Sequence, residues 1–304
     1  MTLRTTLSAL AIVAATPALA ECETVIFSDV GWTDITTTTS AAKQVLAALG
    51  YETEINILSV PITFASLEND DVDVFLGNWM PAQTAAITPY LESGEIESVH
   101  QNLEGTQYTL AVPTYTYEKG LQSYADINSF ADELDGKVYG IEPGNEGNGY
   151  LVSLTEQEGS GLTGLEVVES SEQGMLAQVE RAVEREEDVV FLGWAPHPMN
   201  ANFDLTYLPG GEDFFGGAGV VNTVTRAGYI EECPNVGTLL QQMTFTLPME
   251  NSIMGLILDE GMDPDEAVRG WLEENPDEVL AWVEGVETLD GGNGTDAVSA
   301  EFGY

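Results

Sequence analysis

The stretch Val72-Asp73-Val74-Phe75-Leu76-Gly77-Asn78-Trp79-Met80-Pro81 returns more than a hundred residues later as Val189-Val190-Phe191-Leu192-Gly193-Trp194-Ala195-Pro196. Each copy is an apolar run of strand type, then Gly, then Trp within two residues, then Pro. Open α/β sheets present ligands at the carboxyl ends of their strands. Two similar sheets would each carry one indole at a strand end, and two lobes facing each other would bring the indoles together across a cleft. A single copy would be read as a core tryptophan; the repetition favours the cleft. A third tryptophan has the same placement. The strand Thr24 to Phe27 leads into Ser28-Asp29-Val30-Gly31-Trp32-Thr33-Asp34, so Trp32 and Asp34 occupy a strand-to-helix loop. An Asp there serves as a helix cap or as a ligand carboxylate beside an indole.

Around these motifs the chain alternates strands and helices. Glu54 to Leu58, Val72 to Leu76, Tyr108 to Val112, Lys137 to Ile141, Glu166 to Val168 and Val189 to Leu192 read as strands. Ile35 to Leu49, Ile62 to Asn69 and Ala82 to Leu91 read as helices, with Pro89 expected to bend the last or end it early. Glu172 to Glu187 places Met175, Leu176, Val179 and Val183 on one helical face. From Asn235 onward the chain is mostly helical. The pattern predicts an α/β protein with mainly parallel sheets. The loop Gly144-Asn145-Glu146-Gly147-Asn148-Gly149 lies between a strand and a helix. It lacks both the G-x-G-x-x-G order and a lysine, which argues against a nucleotide, and Asn145 could hydrogen-bond a ligand there. Asp290 to Asp296 misses the EF-hand spacing and reads as a surface turn.

The 304 residues suggest about two domains. Hydrophobic residues at 43% exclude disorder for most of the chain. The 51 Asp and Glu against 8 Lys and Arg, net −43, argue against nucleic acid and against a polybasic membrane contact. Two histidines make His-rich metal sites and His-based catalysis improbable. His197, beside Trp194, is the one tempting base. No G-x-S-x-G elbow is present, and the cluster Asp70, Asp71 and Asp73 reads as a solvated turn. Residues 1–20 have a basic start, a short apolar run and Ala18-Leu19-Ala20, the pattern of a cleaved signal peptide. Export implies an oxidising compartment, where Cys22 and Cys233 read most simply as one disulfide worth about 4–5 kcal/mol in the chain-entropy model.

Several aromatics, a carboxylate and an amide, with no nearby base, suit a cation that cannot donate hydrogen bonds. A quaternary ammonium presents methyl surface and delocalised charge, and each desolvated ring attracts it by about 2 kcal/mol. At these motifs the chain resembles the periplasmic choline-binding proteins of ABC importers, within the glycine betaine/choline binding superfamily. The segments Phe27 to Ile35, Phe75 to Pro81, Tyr108 to Pro113, Gly140 to Asn145 and Phe191 to Trp194 carry the resemblance, which spans the mature chain.

The resemblance implies a two-lobed periplasmic binding protein fold (type II) with a hinge and a central cleft. Residues 21–107 and 220–304 would form lobe 1 and residues 108–219 lobe 2. Trp32, Trp79, Tyr108 and Trp194 would form an aromatic cage, and Asp34 and Asn145 would hold a choline hydroxyl. The resemblance also pairs Cys22 with Cys233. Ala195 departs from the pattern, where a more polar residue is expected. Once the leader and Arg4 are removed, the bases are Lys43, Lys119, Lys137, Arg181, Arg185, Arg226 and Arg269, and none lies in a cage motif. Asp34 would repel the carboxylate of glycine betaine, which favours choline, with acetylcholine a weaker ligand. Glycine betaine or proline betaine is the alternative ligand, and hydrolysis of a choline ester the rival activity. The expected partner is an inner-membrane permease, the expected state a monomer, and neither cofactor nor metal is expected.

Overall fold

The first half of the first helix, Thr33–Ala48, is poor in intrinsic helix formers. Its Thr-rich start loses rotamer freedom in a helix, yet Thr37, Thr38, Thr39 and Ser40 are all buried. Packing decides the outcome. The C-terminal helices Leu247–Leu258, Pro264–Glu274 and Gly294–Phe302 lie against it. Thr37 Oγ1 donates to the carbonyl of Thr33 at 2.8 Å, and Ser40 Oγ to Asp265 at 2.6 Å.

This computed structural model describes residues 22–304, and the leader predicted at 1–20 lies outside the described residues. Nine strands are present among them: β1 (Thr24–Asp29), β2 (Glu52–Ile57), β3 (Val74–Met80), β4 (Ile96–Pro113), β5 (Lys137–Tyr139), β6 (Glu166–Val168), β7 (Phe191–Ala195), β8 (Leu205–Tyr207) and β9 (Gly219–Arg226). Their order is β2-β1-β3-β9-β4-β7-β5-β6, with β8 beside β4. The strand β4 divides this order into two sheets. From Ile96 to Thr106 it pairs with β9; from Gln107 to Ala111 it pairs with β7. One sheet underlies each lobe of the fold.

The sheets are mixed, which corrects the expectation of mainly parallel sheets. β1 pairs in parallel with β2 and β3, and β5 with β6 and β7. β9 is antiparallel to β3 and β4, and β4 is antiparallel to β7 and β8. A chain that passes from one lobe to the other and returns must run against its neighbours at the crossing.

β4 is also far longer than the Tyr108 to Val112 strand legible in the sequence. Three register shifts, near Ser98, Gln101 and Glu104, break its alternation, as bulges do. Pro89 does not end its helix, which runs Thr84–Ser93. Pro89 and Ala85 are exposed, so water can solvate the carbonyl that loses its donor. The described residues include no helix long and apolar enough to cross a membrane.

Candidate functional site

The two echoing motifs occupy equivalent places. Trp79 and Trp194 lie within β3 and β7 rather than beyond their ends, because antiparallel partners extend both strands. Trp79 sits opposite Val221 of β9, and Trp194 opposite Tyr108 of β4. The glycines permit close packing behind them. A Cβ on Gly77 would meet the Phe75 ring at 2.7 Å and Ile35 at 2.9 Å; on Gly193 it would meet Ala111 at 2.9 Å and Tyr207 at 3.0 Å. Each motif ends in a cis peptide, Met80–Pro81 and Ala195–Pro196.

One cavity is lined by Trp32, Asp34, Trp79, Tyr108, Asn145 and Trp194. All six predicted site residues therefore meet, drawn from both lobes. Ala82, Gln83, Ile141 and Glu146 complete the lining. The sequence reading missed these four. Glu146 directly follows Asn145 and Ala82 directly follows Pro81, so proximity to the motifs was the available signal.

The aromatic rings meet edge to face, the arrangement their quadrupoles favour. Tyr108 lies 6.3 Å from Trp79 and 6.4 Å from Trp194, and Phe215 supports it from behind at 4.7 Å. Asp34 stands in the first turn of the helix Thr33–Ala48; Trp32, not Asp34, is its N-cap residue. Trp79 Nε1 donates to Asp34 Oδ2 at 3.0 Å, fixing indole and carboxylate together. Asn145 is the N-cap of the helix Glu146–Glu156. Its Oδ1 accepts from the backbone N–H of Gly147 at 2.8 Å and from the Tyr108 hydroxyl at 3.0 Å. Its amide Nδ2 is the group left to offer a ligand.

The electrostatics are one-sided. Burial, then the charge of Glu172, raises the Asp34 carboxyl to about 7, against the opposing hydrogen bond from Trp79. Burial and Glu142 raise Glu146 to about 7. Burial also raises Glu142 and, with Asp34 nearby, lifts Glu250 well above the carboxylate range. Among the described residues, no Lys or Arg lines the cavity. Such a site gains by accepting a cation and loses by accepting an anion. His197 is buried and doubly engaged, with Glu172 at Nε2 and the Met199 N–H at Nδ1. Cys22 and Cys233 form a disulfide.

Residues 23–274 match the OpuAC family, the substrate-binding domain of ABC-type glycine betaine transport systems, and the chain belongs to that family. An ABC-transporter choline-binding protein solved in complex with choline is 55% identical, with a TM-score of 0.91, covering 93% of this chain and 99% of that one. The same kind of protein in an unliganded semi-closed conformation is 55% identical, with a TM-score of 0.86, covering 93% of this chain and 100% of that one. An uncharacterized protein, ORF1, of Chromohalobacter salexigens is 51% identical over 145 residues, 47% of this chain and 94% of its own length.

Proposed function

We propose that this protein is the extracytoplasmic substrate-binding protein of an ABC importer, capturing choline between its two lobes and delivering it to a permease. The observation that carries this reading is the cavity itself: four aromatic rings and two carboxylates, with no basic side chain among the described residues of the lining. Trp32, Trp79, Tyr108 and Trp194 enclose the trimethylammonium head, each ring contributing about 2 kcal/mol when water is excluded. At the other end, Asp34 accepts a hydrogen bond from the choline hydroxyl and the Asn145 amide donates to the hydroxyl oxygen. The solved relative with bound choline, at 55% identity, supports choline as the ligand.

The lobes comprise residues 21–107 with 220–304, and residues 108–219. The exchange of partners between Thr106 and Gln107 of β4, and the start of β9 at Gly219, fall within one residue of these limits and support them. The leader at residues 1–20 directs the chain to the periplasm and is removed. The role is binding rather than catalysis: His197, the one tempting base, is engaged on both ring nitrogens.

Glycine betaine is the second reading, favoured by the family's description. Its carboxylate would meet Asp34 and Glu146 in a desolvated site, a repulsive juxtaposition. Calorimetric titration of the mature protein at high salt separates the two readings. The expected outcome is tight choline binding and weak betaine binding. Equal affinities would make the chain a general betaine binder, and binding of neither would overturn the quaternary-ammonium reading.

A further inference from the structure

We propose that Glu172 is a closure latch: a carboxylate on one lobe that caps the first helix of the other, and so sets how long the shut lobes retain their ligand. The inference rests on the ligand reading above only for the identity of the bound cation. Glu172 is the first residue of the helix Glu172–Glu184 in the second lobe and does not line the cavity. Thr33 opens the helix Thr33–Ala48 in the first lobe. The Thr33 backbone N–H donates to Glu172 Oε2 at 2.8 Å, and Thr33 Oγ1 donates to Oε1 at 2.7 Å. Both side chains are buried.

The helix needs this partner. Its first-turn N–H groups lack intrahelical acceptors, and its own N-cap residue, Trp32, makes no side-chain cap bond. A carboxylate at a helix N-terminus is favoured both by its hydrogen bonds and by the helix dipole. Here the cap comes from the opposite lobe, so it exists only when the lobes are shut. Its aim is fixed from behind. Met199 N–H donates to His197 Nδ1 at 2.9 Å, which puts the ring proton on Nε2, and Nε2 donates to Glu172 Oε1 at 3.0 Å. The same imidazole packs against the cage indole of Trp194, with centroids 4.9 Å apart.

The latch also carries a counterforce. Shutting the lobes sets the Glu172 charge against Asp29 and Asp34 of the first lobe. A cation held beside Asp34 offsets that repulsion, so a bound ligand favours the latched state without touching Glu172.

The test compares Glu172→Ala, Thr33→Val and Thr33→Ser in the full mature chain. Stopped-flow measurement with choline should show dissociation about tenfold to a hundredfold faster in Glu172→Ala, with association within about twofold of wild type. Thr33→Val should shift dissociation the same way by less, and Thr33→Ser, which keeps the hydroxyl, should match wild type. Spin labels at Glu68→Cys and Glu158→Cys report lobe separation with and without choline. Amide exchange at Thr33 should slow on choline addition in wild type and not in Glu172→Ala. Unchanged dissociation in both Glu172→Ala and Thr33→Val, or equal damage from Thr33→Ser, would overturn the latch. Should wild type fail to bind choline, the ligand reading falls alone. The ligand-free separations then decide the latch, and identical distributions in wild type and Glu172→Ala would refute it.

Discussion

Asp34 performs two tasks that pull in opposite directions. It anchors the Trp79 indole through a hydrogen bond, and it offers its carboxylate to the cavity while buried beside Glu172 and Glu250. Burial favours the protonated form, and a bound cation favours the ionised one. With Asp34 and Glu146 both raised to about 7 in the shut lobes, proton and cation compete for the same carboxyls. Choline affinity for the shut lobes should therefore be full above about pH 7 and decline as pH falls through that value, levelling off only below the lower pKa that the bound cation gives the complex. Titrations from pH 8 to pH 5 measure this. Asp34→Asn should flatten the decline and weaken choline more than betaine, because betaine has no hydroxyl for Asp34 to accept from. An unchanged slope would remove Asp34 from the linkage. At this scale much was legible. Trp79 and Trp194 stood out because their strand–Gly–Trp–Pro motif repeats, and Trp32 and Asp34 because they lie between an apolar strand and a helix. Glu146 did not, since a Glu in a chain with 51 acids carries no signal of its own.

Among the elements, β4 does most to place the site. It gives Thr106 to one sheet and Tyr108 to the other, so the central ring of the cage sits where the two lobes join. Its first half escaped sequence reading because bulges scramble the alternation on which such reading depends. The tryptophan strands were legible as apolar runs but were read short, since their last residues pair with segments distant in sequence. The disulfide belongs to this scale too. Cys22 precedes β1 and Cys233 follows β9, and β1 and β9 both flank β3 in the first sheet. The bond thus cross-links one lobe and does not span the cleft. Replacing both cysteines with serine should cost about 2–5 kcal/mol of stability, seen as a lower denaturation midpoint, and leave the choline Kd within about twofold. A large change in Kd would mean that the bond reaches the lobe geometry after all.

At the scale of the whole molecule, charge dominates. A net charge of −43 repels itself, and the bases are drawn into local pairs such as Arg226 with Asp73 and Glu232, and Arg269 with Glu273 and Glu301. Raising the salt from about 0.01 to 1 M shortens the Debye length from about 30 to 3 Å. The melting temperature of the ligand-free protein should rise over that range, and choline association should slow modestly as its steering is screened. A melting temperature that falls with salt would show that the local ion pairs outweigh the global repulsion.

By itself the sequence determined the alternation of strand and helix, the two matching Gly–Trp–Pro strand ends, the sign of the charge and the pair of cysteines. All of these are local or compositional properties, readable from neighbours in the chain. Only the tertiary structure decided that β4 serves both sheets, that Asn145 spends its oxygen on Tyr108 and on its own helix, and that Glu172 reaches Thr33. The bonds from Tyr108 to Asn145 and from Thr33 to Glu172 join residues tens to more than a hundred positions apart, and no local periodicity encodes which distant partner satisfies a buried polar group.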